Sequence, residues 1–429
     1  MLDDKVEYHI DRTKINAGHI TANGVYKQLA NIRMISFEVT DACNLKCTYC
    51  AYRELYNDYD KRQNRFIDIK KAKMLIDFVV EKIHTPQNKS SMKEVLVNFY
   101  GGEPLLNMDF IKEIVSYTKK REDDSVKFRY NISTNGVLLK KYLDFFVQYD
   151  FEFLVSLDGS EEHDAHRLFH NGKSSFETVY RNMIYIRDNY PVFFARNIVF
   201  NTVLHNLNSK HEVFRFFQHE FKNKIPMFAN VNEVGVKPEM KEKFNVLFTT
   251  KQDEPDEKTV IEMKKEMDLE YGQAKKIQQF IFLHSGNKYN TYNDLLTKKD
   301  DFKYISNGTC FPFSRKIFMS VNNKLLPCEK VGHQFSFGKV TDYGVEIDGE
   351  EVAQKYNSHC DLAKKLCSRC YHVGQCPICM FGIENSETRP VCLGFVNKSG
   401  FNQYLHGLIE QLSQSPELYK RIMEEVVRI

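Results

Sequence analysis

Apolar, β-branched runs alternate with segments of helical period between about residues 31 and 236. Six such runs can be counted, at residues 32–40, 95–100, 128–133, 151–157, 192–203 and 227–236. The segments between them repeat apolar residues every three or four positions, as at 67–83 and 109–121. Strands that alternate with helices are typical of parallel sheets built from βα units. The pattern therefore predicts a partial (β/α)6 barrel of the TIM type.

A polar or glycine-rich motif follows each of the first four predicted strands. The motifs are the loop that holds Cys43, the turn Gly101-Gly102-Glu103-Pro104, the segment Ser133-Thr134-Asn135-Gly136 and the segment Ser156-Leu157-Asp158-Gly159. In barrels of this kind, active residues gather on the loops at the carboxyl ends of the strands. We therefore expect the four motifs to share one mouth of the barrel and to form an active site there.

The first of these loops carries three cysteines, Cys43, Cys47 and Cys50, within eight residues. Iron-sulfur clusters prefer thiolate ligands and usually take four of them. Three thiolates on one loop can hold a four-iron cluster and leave one iron open for chemistry. The alternative is a structural zinc site, which three cysteines without a nearby fourth ligand would fill poorly.

Composition narrows the class of protein. The chain has 429 residues, with 60 basic and 57 acidic ones, so its formal charge of +3 gives no global field that would attract nucleic acid or an anionic membrane. The charged start, Met1 to Glu7, does not resemble a signal peptide, and no apolar stretch is long enough to span a bilayer. We expect a cytoplasmic protein without nucleic-acid or membrane partners.

The other cysteines are concentrated near the C-terminus. Of the eleven in the chain, none lies between Cys50 and Cys310, and eight fall between Cys310 and Cys392. In a reducing compartment such cysteines are more often metal ligands than disulfides. Eight thiolates suffice for two clusters with four ligands each, whereas two zinc sites are the alternative, because Cys-x2-Cys pairs also bind zinc.

Taken together, the Cys43 loop, the Gly101 turn and the C-terminal cysteines resemble a radical S-adenosylmethionine (radical SAM) enzyme with a C-terminal auxiliary-cluster (SPASM) domain. The resemblance covers most of residues 31–395. It implies an N-terminal extension at 1–30, a radical SAM barrel at 31–236, a helical connecting region at 237–305, a SPASM domain at 306–395 and terminal helices at 396–429.

The resemblance also implies roles for residues at the barrel mouth. Cys43, Cys47 and Cys50 would hold the cluster that binds S-adenosylmethionine, and Tyr49 would lie beside its adenine. The remaining contacts would come from Gly101, Gly102 and Glu103 near the amino group, from Ser133, Asn135, Ser156 and Asp158 near the ribose or the methionine end, and from Arg167 facing the carboxylate. His163 and His166 are expected to be structural.

In the C-terminal region the resemblance implies two auxiliary clusters, which makes three [4Fe-4S] clusters in all. The outer cluster would be held by Cys367, Cys370, Cys376 and Cys392, and the inner one by Cys310, Cys328 and Cys379. The cysteine that often precedes Cys310 in the family is missing here, so either Cys360 closes the inner cluster or an open iron binds substrate. The chain departs from the family pattern at two further places: only two residues separate Cys376 and Cys379, and Asn323 stands where the family has a glycine in the hairpin before Cys328. Asparagine tolerates the left-handed conformation that such a turn needs.

Family members with such C-terminal domains mostly modify peptides, which implies a maturase that installs a thioether or carbon-carbon crosslink in a ribosomally made precursor. The alternative enzyme is a sulfatase-type maturase that makes formylglycine. Such enzymes place an aspartate where this chain has Glu329, and this carboxylate is a candidate general base. An iron-sulfur electron carrier or a zinc scaffold would explain the cysteines but not the glycine turn and the polar loop ends.

The implied partners are the precursor peptide and an electron donor such as flavodoxin or ferredoxin. Only about thirty residues precede the first predicted strand, too few for an independent leader-binding domain. Leader recognition is therefore expected from a separate protein, from the 237–305 region or from the barrel mouth.

Overall fold

The computed structural model describes residues 19–57, 59–90, 93–222, 224–229, 235–249, 308–373, 376, 378–385, 390–414, 416 and 420. The chain divides into two compact units, which we describe separately. The barrel unit comprises Thr21–Asp256 and Cys310–Val352, and the C-terminal unit comprises Met1–Ile20, Glu257–Thr309 and Ala353–Ile429. Most of the predicted connecting region at 237–305 and of the predicted last helix lies outside the described residues. The predicted domain boundaries stay a prediction.

The barrel unit is built on one ten-stranded sheet with the strand order β10-β9-β8-β7-β1-β2-β3-β4-β5-β6. The strands are β1 Met34–Thr40, β2 Glu94–Gly101, β3 Lys127–Thr134, β4 Glu152–Ser156, β5 Ile198–Val203, β6 Met227–Ala229, β7 Ile317–Met319, β8 Lys324–Leu326, β9 Gly338–Val340 and β10 Val345–Glu346. Strands β1 to β6 are parallel to their neighbours, so the predicted βα architecture of a partial barrel is confirmed.

Of the helices of the barrel unit, the first precedes β1, the last follows β6 and the others connect the parallel strands. The helices are α1 Ala22–Ala30, α2 Ile69–Ile83, α3 Met108–Lys119, α4 Leu143–Gln148, α5 Phe176–Asn189, α6 Pro191–Asn197, α7 Lys210–Glu220 and α8 Lys241–Phe248, with 3-10 turns at Pro104–Asn107, Leu139–Tyr142, Pro238–Met240 and His333–Phe335. Polar side chains begin several of them: Asp68 caps α2, and Ser209 with Glu212 forms a capping box on α7.

Residues of each strand alternate between two faces of the sheet. On β3, Tyr130 is buried and its hydroxyl lies 2.8 Å from that of Thr118 on α3, so this face packs against the helices. The neighbouring Asn131 and Ser133 therefore point to the opposite face, which is the interior of the barrel. The helix-side face holds the aromatic core, in which Phe99 and Phe151 stack at 6.0 Å.

The strand predicted at residues 192–203 is partly wrong. Residues Pro191–Asn197 form helix α6, and strand β5 begins only at Ile198. Proline suits the first turn of a helix because its missing N–H would be unpaired there. The apolar residues Phe193 and Phe194 are buried on this short helix, and a short apolar run does not distinguish a helix from a strand.

A hairpin extends the sheet beyond β1. Strand β7 pairs in parallel with β1 and antiparallel with β8, and Asn323 in the connecting turn has a φ of 61°. This left-handed conformation favours glycine, and asparagine is among the few other residues that adopt it readily. The hairpin predicted to survive the change from glycine to Asn323 is confirmed.

The C-terminal unit contains two described helices, α9 Gly349–Cys367, which begins in the barrel unit, and α10 Lys398–Gln414, together with the two-stranded pair β11 Glu384–Asn385 and β12 Pro390–Val391. A 3-10 turn spans Met380–Gly382. Among the residues that the model describes, no helix combines the length and apolar character needed to cross a bilayer.

Candidate active site and auxiliary cysteines

The loop that follows β1 carries Cys43, Cys47 and Cys50, all half-buried. Main-chain hydrogen bonds fix this loop against the segment after β4: the Lys46 N–H donates to the Leu168 carbonyl at 2.7 Å, and the Thr48 N–H donates to the His166 carbonyl at 3.1 Å. The Leu45 N–H lies 3.4 Å from the Cys43 sulfur. The backbone that carries the three thiols is therefore held in place on either side of Cys47.

Burial makes two of these thiols, Cys43 and Cys47, weaker acids than a free cysteine. It raises the pKa of Cys43 and raises that of Cys47 to about 12, although the Arg167 charge opposes both shifts. Iron must therefore displace protons when it binds, because only thiolates are ligands. In the described part of the chain, no three His, Cys, Asp or Glu side chains converge as one ion would require. A four-iron cluster spreads its ligands over several irons, and three thiols on a fixed loop fit such a group.

The turn after β2 approaches the cysteine loop too closely for any side chain. A Cβ on Gly102 would lie 2.0 Å from the Ala42 carbonyl oxygen, and one on Gly101, whose φ is +130°, would lie 2.4 Å from that of Thr40. The same approach makes two hydrogen bonds of 2.8 Å, from Gly102 N–H to Thr40 O and from Glu103 N–H to Ala42 O. Glycine is required here because two backbones meet.

Glu103 is fully buried, and both of its carboxylate oxygens are engaged. One accepts from the Leu105 N–H at 3.0 Å and the Thr134 hydroxyl at 2.8 Å, and the other from the Asn135 N–H at 2.8 Å. Burial raises its pKa, although these hydrogen bonds oppose the shift. Glu103 thus joins the loops after β2 and β3, and its predicted place near the amino group of the ligand stays a prediction.

Asn135 connects the third loop to the cysteine loop. Its amide nitrogen donates to the Asn44 side-chain oxygen at 2.7 Å and lies 3.9 Å from the Cys43 sulfur. Ser133 and Ser156 are half-buried at the carboxyl ends of β3 and β4. The predicted mouth therefore brings these side chains to the same edge of the sheet as the three cysteines.

The half-buried Tyr49 and the buried Asp158 and Arg167 form one network. The Tyr49 hydroxyl donates to Asp158 and accepts from the Arg167 guanidinium at 2.9 Å. The other Asp158 oxygen accepts from the Val203 N–H at 2.9 Å, and burial raises the pKa of this carboxyl against the opposing Arg167 charge. Both oxygens of Asp158 are thus used within the protein, and its predicted contact with the ribose or the methionine end stays a prediction.

His205 was not among the predicted site residues. It is completely buried and stacks on the Tyr49 ring, with 6.0 Å between the ring centres, while Asn208 donates to its ring at 3.2 Å. Burial lowers its pKa to about 4, so the ring is neutral at physiological pH. His205 follows β5, and the rule that active residues follow barrel strands could have identified it. His166 bonds Thr48 and Asn206 at 2.8 and 2.9 Å.

In the C-terminal unit, the four cysteines predicted to hold an outer cluster line a single pocket. Its walls are Leu366, Cys367, Cys370, Val373, Cys376, Cys392, Gly394 and Phe395. The Val396 N–H lies 3.4 Å from the Cys370 sulfur, and burial raises the pKa of Cys376 to about 12. Four thiols within an otherwise apolar wall are a donor set that fits an iron-sulfur cluster.

The cysteines predicted for an inner cluster lie in different units. Cys310 and Cys328 belong to the barrel unit, whereas Cys360 and Cys379 belong to the C-terminal unit. Cys360 is completely buried on α9, and its sulfur lies 3.6 Å from that of Met380. Its predicted role as a ligand remains a prediction.

Glu329, the candidate base, is paired with Lys316. The Lys316 ammonium lies 2.8 and 3.1 Å from the two carboxylate oxygens, and the exposed fractions of the two side chains are 19% and 13%. Burial alone would raise the pKa of Glu329, but the Lys316 charge and hydrogen bonds outweigh it and leave the pKa below its ordinary value. A carboxylate stabilised in this way is a weaker base than a free one.

The parallel βα sheet, the loop with three thiols, the close turn at Gly101 and Gly102, and the buried Arg167 are features that we expect of a radical SAM active site. In agreement with this, residues 37–217 match the model of the Radical SAM superfamily. Residues 37–217 therefore form a Radical SAM domain, and the cysteine-rich C-terminus is consistent with a radical SAM enzyme of the SPASM type. The domain supports binding of S-adenosylmethionine and of one [4Fe-4S] cluster.

The chain is similar in sequence to two enzymes of known activity. The chain is 26% identical over 369 residues to the radical SAM cyclopropyl synthase TigE of Paramaledivibacter caminithermalis, a match that covers 82% of this chain and 69% of TigE. It is 30% identical over 213 residues to the cysteine-type anaerobic sulfatase-maturating enzyme of Clostridium novyi, covering 48% of this chain. The match spans 54% of that enzyme, about half of its length.

Solved structures support the fold. The chain resembles the structure of anSMEcpe with bound AdoMet and Cp18Cys peptide, with a TM-score of 0.58 and 18% identity, over 92% of this chain and 100% of that one. At this level of identity the likeness shows the fold.

Proposed function

We propose that this protein is a peptide maturase that abstracts hydrogen from a ribosomally made precursor and installs a thioether or carbon-carbon crosslink. One observation carries the proposal: a complete radical SAM mouth and a four-cysteine pocket occur in a single chain. The name of the relative TigE, a cyclopropyl synthase, supports the formation of a carbon-carbon bond.

In this proposal Cys43, Cys47 and Cys50 hold the first cluster. When bound, this cluster and S-adenosylmethionine together supply a 5′-deoxyadenosyl radical, the species that takes the substrate hydrogen. The protein positions the ligand: carbonyls of the Gly101 turn, fixed by Glu103, accept from its ammonium group, and Arg167 neutralises its carboxylate. Tyr49 provides an aromatic surface for the adenine, and His205 supports that ring from within the protein.

The remaining predicted contacts are assigned to the ribose and the methionine end. Ser133, Ser156 and Asn135 supply hydroxyl and amide groups at the barrel mouth. Asp158, with both oxygens engaged, acts through Tyr49 and thereby orients it. An Asp158→Asn variant would keep one acceptor, and we expect it to weaken ligand binding less than Arg167→Met does.

We further propose two auxiliary clusters, the outer one in the pocket of Cys367, Cys370, Cys376 and Cys392. Cys310, Cys328 and Cys379 would hold the inner cluster, with Cys360 as its fourth ligand or with an iron left open for substrate. Three clusters correspond to about twelve irons per chain. If Cys360 is a ligand, Cys360→Ala should lower the iron content or change the cluster spectrum. An unchanged content and spectrum favour the open iron.

A formylglycine-generating reaction is the second candidate, supported by the sulfatase-maturating relatives. It requires a base near the substrate, and Glu329 would have to serve. The Lys316 ammonium lies 2.8 and 3.1 Å from the two Glu329 oxygens, and this ion pair supports the crosslinking reaction over this alternative, because a base would have to give it up to take a proton. A protein that only carries electrons would account for the cysteines but not for the turn at Gly101 and Gly102.

The proposed partners are the precursor peptide, an electron donor such as flavodoxin or ferredoxin, and a separate leader-recognition protein. Because cluster assembly needs reduced thiols, the proposed reaction belongs in the cytoplasm.

Mass spectrometry of a candidate precursor after coexpression tests the proposal. A peptide that loses two hydrogens per modification supports crosslinking, whereas a carbonyl that hydrazines trap supports formylglycine. The Cys47→Ala variant is the matched control, because it keeps the C-terminal cysteines but lacks one ligand of the first cluster. A peptide modified equally by the wild type and this variant would contradict the proposal.

A further inference from the structure

The pocket of the proposed outer cluster opens among exposed apolar side chains. On either side of Cys392, Val391, Leu393 and Phe395 are exposed by 37%, 54% and 41%. Phe395 also lines the pocket itself. Apolar side chains in such numbers around one site commonly mark a surface that another protein covers.

Basic side chains flank the same pocket. Lys364 and Lys365 lie in the last turn of α9, Arg369 follows two residues after that helix ends, and Lys398 begins α10, all of them exposed. The described stretches 361–373 and 390–400 contain these four cations and one carboxylate, that of Asp361, which lies 2.8 Å from the His19 ring, and Glu384 on β11 pairs with Val391. The local charge is therefore positive, although the chain as a whole is close to neutral.

Hydrogen bonds hold the two stretches together. The Tyr371 N–H donates to the Val396 carbonyl at 2.9 Å, and the Val396 N–H lies 3.4 Å from the Cys370 sulfur. The basic end of α9 and the apolar loop around Cys392 are thus two parts of one surface. We name this surface, defined by Lys364, Lys365, Arg369, Leu393 and Phe395, the basic rim.

We infer that the basic rim is the docking surface for an acidic one-electron carrier protein. The inference rests on the outer cluster proposed above, because Phe395 of the rim lines the pocket proposed for that cluster. A small apolar centre within a ring of charges is typical of transient electron-transfer complexes, in which opposite charges steer the encounter. The positive charge excludes a basic carrier, so the partner must present carboxylates around its own redox group.

Binding to a bacterial flavodoxin tests the inference, measured through its flavin fluorescence under anaerobic conditions at low salt. The triple variant Lys364→Gln, Lys365→Gln, Arg369→Gln should bind at least about tenfold more weakly, within the range that electrostatic steering covers. The control triple variant Lys70→Gln, Lys127→Gln, Lys222→Gln removes the same charge from exposed positions of the barrel unit and should change the affinity less than twofold. Thermal unfolding checks that both variants are folded.

Three outcomes would overturn the inference: equal flavodoxin affinity in the two triple variants, affinity that does not fall with added salt, or equally tight binding of the basic carrier cytochrome c. The proposed function is tested separately, because dithionite can replace the protein donor. The rim variant should form 5′-deoxyadenosine with dithionite at the wild-type rate. Failure of that reaction in the wild type would count against the proposed function, whereas the binding result would still decide the role of the rim.

Discussion

The contact between Gly102 and the cysteine loop permits a direct perturbation of the active site, Gly102→Ala. The added Cβ would stand 2.0 Å from the Ala42 carbonyl oxygen, and ordinary contact begins at 3.4 Å, so the backbones must separate by about 1.4 Å. The atom that it meets belongs to the main chain next to Cys43 and cannot rotate away. The hydrogen bond of 2.8 Å from Glu103 N–H to Ala42 O would be lost or stretched.

A misplacement of about 1 Å in a positioned site costs roughly a hundredfold in rate. We therefore expect Gly102→Ala to lower the rate of 5′-deoxyadenosine formation by about a hundredfold or more, measured by chromatography after anaerobic incubation with S-adenosylmethionine and dithionite. The iron held by the proposed outer cluster of Cys367, Cys370, Cys376 and Cys392 should be unchanged, because those four cysteines lie in the other unit.

Gly24→Ala is the matched control. Its added Cβ would meet only the Thr21 hydroxyl, at 3.6 Å, in helix α1, where alanine is the better helix former. This variant should retain the wild-type rate. A Gly102→Ala protein that is folded, loaded with iron and as active as Gly24→Ala would refute the reasoning about the turn.

Three further predictions concern single side chains. Glu103→Gln places an NH2 group against N–H donors, so it should destabilise the protein by about 2 kcal/mol and weaken S-adenosylmethionine binding in equilibrium dialysis; unchanged affinity would contradict its positioning role. Asn323→Gly should leave thermal unfolding unchanged or raise its midpoint, whereas Asn323→Val should cost about 1–2 kcal/mol at a φ of 61°. The pKa of His205 is lowered to about 4, so its contribution to stability is present above about pH 6.5 and is lost as the pH falls towards 4. His205→Asn should therefore make the free energy of unfolding depend less on pH between about 4 and 6.5. A pH dependence identical to that of the wild type would contradict this prediction.

The parallel strands could be predicted because they are buried on the helix side and therefore apolar at alternate positions. Helix α6 could not, because Phe193 and Phe194 are buried in the same way on a helix as on a strand. Tyr190 and Pro191, where one helix ends and the next begins, were the local signal of a break.

The position of the mouth could also be predicted, because the carboxyl ends of neighbouring parallel strands necessarily share an edge. The role of each side chain at the mouth could not be predicted. Whether Glu103 faces a ligand or its own backbone depends on three hydrogen bonds from residues 2, 31 and 32 positions away. His205 likewise gains its place only when β5 lies beside β4 and brings it against Tyr49.

The grouping of Cys367, Cys370, Cys376 and Cys392 followed from the family resemblance, and the same four residues line one pocket. Spacing alone could not choose among pairings of eight cysteines. Spacing also does not indicate that Cys360 is buried against Met380.

The central claim is that an incompletely ligated iron cluster at Cys43, Cys47 and Cys50 cleaves S-adenosylmethionine. Its most direct test is anaerobic incubation of the iron-loaded protein with S-adenosylmethionine and dithionite, followed by quantification of 5′-deoxyadenosine. The account predicts that the wild type forms 5′-deoxyadenosine and that the Cys47→Ala variant does not. Inertness of the fully iron-loaded wild type, or anaerobically purified protein with stoichiometric zinc and negligible iron, would contradict it.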